Sequence, residues 1–260
     1  MQSLFEIPDG IDKVDVRIQI NKMLSEARKN SKPQKCILCN HEKTSFCNSH
    51  SVPQMSLKHI ADNGKLLLAS ALIGFDSDIV DLENGVNKSG TFNYICRDCD
   101  NSFFRDYETP DSLLITPSDK ALSEIAVKNM LLLMSKRAVE KELIQIQQKK
   151  YAAFDNLQDG LELKEMDFKE FEEEVAFHKY IADNNLTGGY QIICHEILPY
   201  RVPIAMQSAI AMVKDYNGNE INNVFDFRPT TRMQYLHICI FPLEKGSVIL
   251  AFYHKRDKLY

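Results

Sequence analysis

The chain has 260 residues, 44% of them hydrophobic, with a formal net charge of −5. That is enough apolar material for a buried core in one large domain or two modest ones, so disorder is not the default, and the net charge gives no general attraction to nucleic acid. No apolar run approaches the roughly 20 residues that cross a bilayer, and the opening MQSLFEIPDG lacks the pattern of a secretory leader, so a soluble cytoplasmic protein without a membrane partner is expected.

In chain order, residues 11–30 mix apolar and charged residues at helical spacing, and SKPQK then breaks the pattern. This predicts an N-terminal helix and lead-in over residues 1–34. Residues 35–115 are irregular, with Asn, Gly, Ser and Asp between short apolar runs, as expected of a module organised around a metal. Charge is uneven here. Residues 13–65 carry a net +6 and residues 76–111 a net −6, so phosphate-binding and cation-binding surfaces are expected side by side, unless this is ordinary scatter.

A helix start is predicted at Thr116-Pro117-Ser118, with Thr as the cap and Pro at the first helical position. Leu122, Ile125, Ala126, Val139, Leu143 and Ile146 then recur at steps of a long amphipathic helix reaching Lys150. A second helix is predicted over 164–184, with Phe168, Phe171, Val175, His178 and Ile181 on one face and the run Glu172 to Glu174 on a solvated one. After Gly188-Gly189, the segments YQIICHEIL, AIAMVKDY, NNVFDF, YLHICIF and SVILAFY read as strands. Turn-like stretches at Asp215 to Asn219 and Pro242 to Gly246 imply antiparallel connections. The expected class is α+β, with residues 116–260 forming a C-terminal domain of two long helices and a mostly antiparallel sheet.

The chemistry-bearing motif is Cys36-Ile-Leu-Cys39 paired with Cys96-Arg-Asp-Cys99. Two CxxC pairs supply the four thiolates that zinc takes in a tetrahedron, and a complete set of sulfurs leaves no open position for water. Of the seven cysteines, four fall into these pairs, which favours metal over disulfide. One structural Zn²⁺ is therefore expected, with His41 and Cys47 as nearby alternatives for a single ligand. Cys194-His195 and His237-x-Cys239 lie in apparent strands and are assigned to the core, where free Cys packs as a small hydrophobe.

Between the two pairs lies Ser49-His50-Ser-Val-Pro53, eleven residues after Cys39. A CxxC, a histidine followed by Val-Pro and a second CxxC followed by Asp100-Asn101 together resemble the HNH, or His-Me finger, endonucleases, in particular the zinc-containing subset built like recombination endonuclease VII. The resemblance covers about residues 35–108. It implies a zinc-stabilised ββα-metal module of treble-clef type, with a segment inserted near residues 62–90 because Cys39 and Cys96 are 57 residues apart.

The resemblance further implies nucleic acid, DNA or RNA, as substrate, His50 as the general base that activates water, and a catalytic Mg²⁺ or Mn²⁺ held by hard oxygen ligands. The family usually places an acid before the histidine and a His or Asn after the last cysteine. Here those places hold Ser49 and Asp100, so the single carboxylate for the cation is Asp100. Asn93, with Thr91 on the same strand face, stands for the Asn that orients the histidine. Lys58, Arg97 and Arg105 are the expected phosphate contacts. Glu108 either reaches the site or pairs on the helix surface. Small nucleases of this kind often serve bacterial defence or toxin systems.

Three functional expectations follow. In the first, residues 35–110 cut nucleic acid and residues 116–260 recognise substrate or a partner, or assemble a homodimer. In the second, favoured by Ser49, the protein is a non-catalytic zinc-binding treble clef that binds a partner or nucleic acid. In the third, the C-terminal half binds a ligand and the zinc region only stabilises it. No Gly-rich phosphate loop, GxSxG elbow or Rossmann fingerprint is present.

Overall fold

The computed structural model describes residues 12–67, 83–150, 157–228 and 230–257. Mixed helix and sheet surround a single continuous apolar core that runs from the cysteine region into the C-terminal sheet. Helix α1 (Lys13–Asn30) begins where the Asp12 carboxylate accepts from the Val14 N–H at 2.8 Å, and it buries Leu24 and Ala27. The cysteine region contributes strands β1 (Ser49–His50), β2 (Lys65–Leu67), β3 (Glu83–Gly85) and β4 (Thr91–Phe92) with helices α2 (Gln54–Ile60), α3 (Arg97–Phe103) and α4 (Pro110–Leu113). β1 pairs antiparallel with β4, and β2 with β3. The latter pair occupies the flanks of the expected insertion, whose middle, 68–82, lies outside the described residues.

Helix α5 (Asp119–Lys150) starts later than the sequence suggests. Ser118, not Thr116, caps it: its hydroxyl accepts from the Ala121 N–H at 3.2 Å, the reach of a side chain three residues upstream. Nor is α5 simply amphipathic. Every residue from Ala121 to Leu131 is buried, so this half of the helix is a shaft enclosed on all sides. Its polar residues are tied to different neighbours. Glu124 and Lys128 reach the cysteine region, and Asn129 bonds His237 in the sheet at 3.0 Å.

Helix α6 (Leu157–Asp183) packs along α5 and starts earlier than the predicted 164. Glu172 and Glu173 are exposed as expected, but Glu174 is buried. Arg232 and Arg256 converge on its carboxylate and replace its water, which the local sequence could not reveal.

The sheet is antiparallel throughout, in the order β5 (Tyr190–Leu198), β8 (Ser247–His254), β7 (Leu236–Pro242), β6 (Met206–Ile210). Two strand expectations are corrected. Residues 211–216 leave the sheet after β6, and 222–227 form no strand. Instead the chain turns at Asp215 to Asn219, with Gly218 at φ +86°, and Asn222 is held by carbonyls of Met212 and Gln234. Their apolar residues had suggested strands, yet Val224, Phe225 and Phe227 face solvent. His237 and Cys239 are fully buried in β7, as core residues.

Candidate zinc centre and the surroundings of His50

The first CxxC forms a tight turn. The Cys36 N–H donates to the His41 carbonyl at 3.0 Å and the Asn40 N–H to the Cys36 carbonyl at 2.7 Å, with Asn40 in the left-handed region at φ 56°. The second CxxC opens α3, with Cys96 as its cap residue, and the Cys96 N–H points at the Cys36 sulfur at 3.3 Å. Cys36, Cys39, Cys96 and Cys99 bring their sulfurs within 4.8 Å of one another. Sulfurs about 3.8 Å apart are what four zinc–sulfur bonds of about 2.3 Å require, and Cys39 and Cys96 are 4.0 Å apart.

Burial, then hydrogen bonding with the neighbouring cysteines, pushes the Cys99 thiol well above its ordinary range. Cys99 would resist ionisation without a cation, and Zn²⁺ supplies that charge. The four-cysteine set therefore fits structural zinc. Neither alternative ligand belongs to it. Cys47 donates its thiol to the Ile95 carbonyl at 3.2 Å and is pushed up to about 12 by burial and by Asp100, while the His41 side chain is exposed.

β1 carries the two residues between the CxxC pairs, and alternation along the strand sends them to opposite faces. Ser49 is fully buried and donates its hydroxyl to Asp100 Oδ1 at 2.6 Å, so the positions before His50 and after Cys99 meet in space. His50 is half-buried, and its Nε2 lies 3.0 Å from the Val86 carbonyl. A carbonyl only accepts, so Nε2 carries the proton in this bond, and in the neutral ring the lone pair then lies on Nδ1. No described residue bonds Nδ1.

Asn93 does not orient the ring. Its amide donates to the Cys47 carbonyl and to the Asn48 side chain, both at 2.8 Å, and so fixes the chain entering β1. The group that bonds the ring is the Val86 carbonyl, which comes from the far side of the segment separating the two CxxC pairs. Thr91 faces His50 in the strand register but donates to the Lys88 carbonyl.

Beside Val86 is an open concavity of about 510 Å³ lined by Lys58, Gly64, Gly85, Val86, Asn87 and Lys88. Of the cations named from the sequence, Lys58 lines this concavity, and Lys88, which was not named, lines it too. Arg97 and Arg105 are exposed at the start of α3 and just past its end, and do not line this concavity. A larger concavity of about 620 Å³ opens near Lys32 and Lys43 and contains none of the expected site residues.

Asp100 has a second partner that the sequence did not suggest. Lys128 of α5, 1% exposed, places Nζ 3.1 Å from Asp100 Oδ1 and 2.7 Å from Glu108 Oε1, and 3.8 Å from the Phe104 ring centroid. Glu108 is thereby a lysine partner. The available signal was Glu124, Lys128 and Asn129 within a stretch of α5 whose other residues, Ser123 apart, are apolar. The family's divalent cation does not fit these groups as arranged. Magnesium demands several oxygen ligands at about 2.0–2.1 Å, and Asp100 Oδ1 already accepts from a hydroxyl and an ammonium.

No family model, curated protein or solved structure matches this chain.

Proposed function

We propose that residues 35–108 are an HNH-like, treble-clef module that hydrolyses phosphodiester bonds in nucleic acid, with His50 as general base. The observation carrying this reading is the bond from His50 Nε2 to the Val86 carbonyl, which in the neutral ring leaves Nδ1 as the acceptor, and Val86 itself lines a concavity that also holds Lys58 and Lys88. In the proposed step Nδ1 takes a proton from water as the water oxygen bonds to phosphorus. The bond from phosphorus to the leaving sugar oxygen breaks, and that oxygen takes a proton from solvent. Lys58 and Lys88 steady the non-bridging oxygens, as cationic clamps do for transferring phosphoryl groups. Recognition of substrate or partner by residues 116–260 belongs to the same reading, supported by exposed Tyr216, Phe225 and Phe227 between β6 and β7.

The test is cleavage of plasmid DNA and of structured RNA, with and without Mg²⁺ or Mn²⁺, by wild type, His50→Ala and Lys58→Ala/Lys88→Ala. Zinc content and melting are followed in parallel. Wild type should cut. His50→Ala should lose roughly 10²–10⁴ of the rate, the usual contribution of a positioned general base, while keeping its zinc and fold. Equal rates for wild type and His50→Ala would refute the assignment.

A second reading, a non-catalytic zinc module, is favoured by one observation: the Asp100 carboxylate is already engaged by Ser49 and Lys128. Absence of cleavage with every substrate and metal would select it.

A further inference from the structure

We infer that the Lys128 ammonium, clamped between Asp100 and Glu108, fills the place that a divalent cation takes in the family residues 35–108 resemble, so this protein takes up no magnesium at Asp100. The inference uses the resemblance to locate the place, and it stands whether or not the site cuts nucleic acid.

Three observations converge. The first is position: Ser49 and Asp100, which hold the family's two cation-ligand places, are in direct contact across 2.6 Å, so the expected cation site is assembled. The second is occupancy. Lys128 Nζ lies within hydrogen-bond distance of Asp100 and Glu108, and an ion close enough to coordinate Asp100 Oδ1 would face that ammonium at a few ångströms without intervening water. The third is burial. Lys128 issues from the enclosed half of α5, with its ammonium over Phe104, which is itself fully buried. A lysine here cannot swing into solvent to make room, and its charge is tolerated only because two carboxylates and a ring face meet it.

The replacement also accounts for Ser49. Beside a monovalent ammonium, a second acid in contact with Asp100 would leave excess negative charge, whereas a hydroxyl donates to the same carboxylate oxygen. Lys128 is a positioning residue in this account: it fixes Asp100, and through Asp100 the strand that carries His50.

The experiment is Mn²⁺ uptake by zinc-loaded protein, read by the loss of the free-ion paramagnetic resonance signal. Wild type, Asp100→Asn, Lys128→Met and Lys128→Met/Asp100→Asn are compared. Wild type and Asp100→Asn should show the same uptake, with no Asp100-dependent ion. Lys128→Met keeps much of the side-chain volume and should gain one bound ion, lost again in the double variant. Asp100-dependent uptake by wild type would overturn the inference, as would folded Lys128→Met that gains no ion. If Lys128→Met does not fold, wild type against Asp100→Asn decides alone. Cleavage separates the two proposals: a wild-type rate flat from no added Mg²⁺ to millimolar Mg²⁺ supports both, and a rate that requires Mg²⁺ and Asp100 overturns this inference only. Absence of cleavage refutes the nuclease reading and leaves the uptake comparison standing.

Discussion

Glu124 lies one helical turn before Lys128, and its Oε2 accepts from the N–H groups of Asp106 and Tyr107 at 3.1 and 3.3 Å. Burial, then the neighbouring Asp106 charge, pushes its carboxyl up to about 8. A raised acid binds its proton more tightly in the folded than in the unfolded state, so its contribution to stability is fully present at low pH. It is lost as pH rises from the ordinary glutamate range toward 8. Wild type should therefore lose stability between pH 5 and pH 8.5 in urea titrations, and Glu124→Gln, which keeps a carbonyl acceptor, should flatten that decline. A second residue-scale expectation concerns Ser49. Ser49→Ala removes a fully buried hydroxyl from the part-buried Asp100 carboxylate and should cost about 1–3 kcal/mol, the usual penalty for leaving a polar partner short of a bond, measured by the same titration.

The turn between β7 and β8 shows how an element is fixed by backbone packing. The Leu243 N–H donates to the Gly246 carbonyl at 2.9 Å, and a Cβ added at Gly246 would lie 2.3 Å from the Leu198 carbonyl oxygen, at the end of β5. Glycine is needed there because three strands meet, and the turn itself would accept other residues. Gly246→Ala should destabilise by roughly 1–3 kcal/mol, the usual cost of overpacking, and thermal melting would register it. At Gly90 the requirement is conformational, since φ is +61° in the turn just before β4. The paired strands β7 and β8 were legible because an apolar alternation was interrupted by one clear turn. Residues 222–227 were not, because the same apolar content can lie on an exposed loop.

At the scale of the molecule, the buried half of α5 joins the two halves of the chain. Lys128 and Glu124 bind the cysteine region, Asn129 binds β7, and the apolar core passes continuously between them. Losing the zinc centre should therefore destabilise more than its own module. Structural zinc in zinc-finger peptides is worth about 10–16 kcal/mol. Cys99→Ser should lose the metal, lower the melting temperature and unfold the sheet in the same transition as the cysteine region. Zinc analysis and far-ultraviolet circular dichroism during melting would test this, and two separate transitions would contradict it.

By itself the sequence determined the four-cysteine cluster that fits zinc, the two long helices, most of the antiparallel sheet and the positions of Ser49, His50 and Asp100. These are local facts, because a CxxC pair, a helical period and a strand alternation are each written within a few residues. Only the tertiary structure decided what those residues touch. The Val86 carbonyl, not Asn93, bonds the His50 ring, Lys88 joins Lys58, Arg232 and Arg256 bury Glu174, and Lys128 meets Asp100 from a helix 28 residues away. Each of these, other than the shared lining by Lys58 and Lys88, is a long-range contact between charged or polar groups. Nothing in local periodicity encodes it, since its stability depends on water being removed from both partners at once when the core closes.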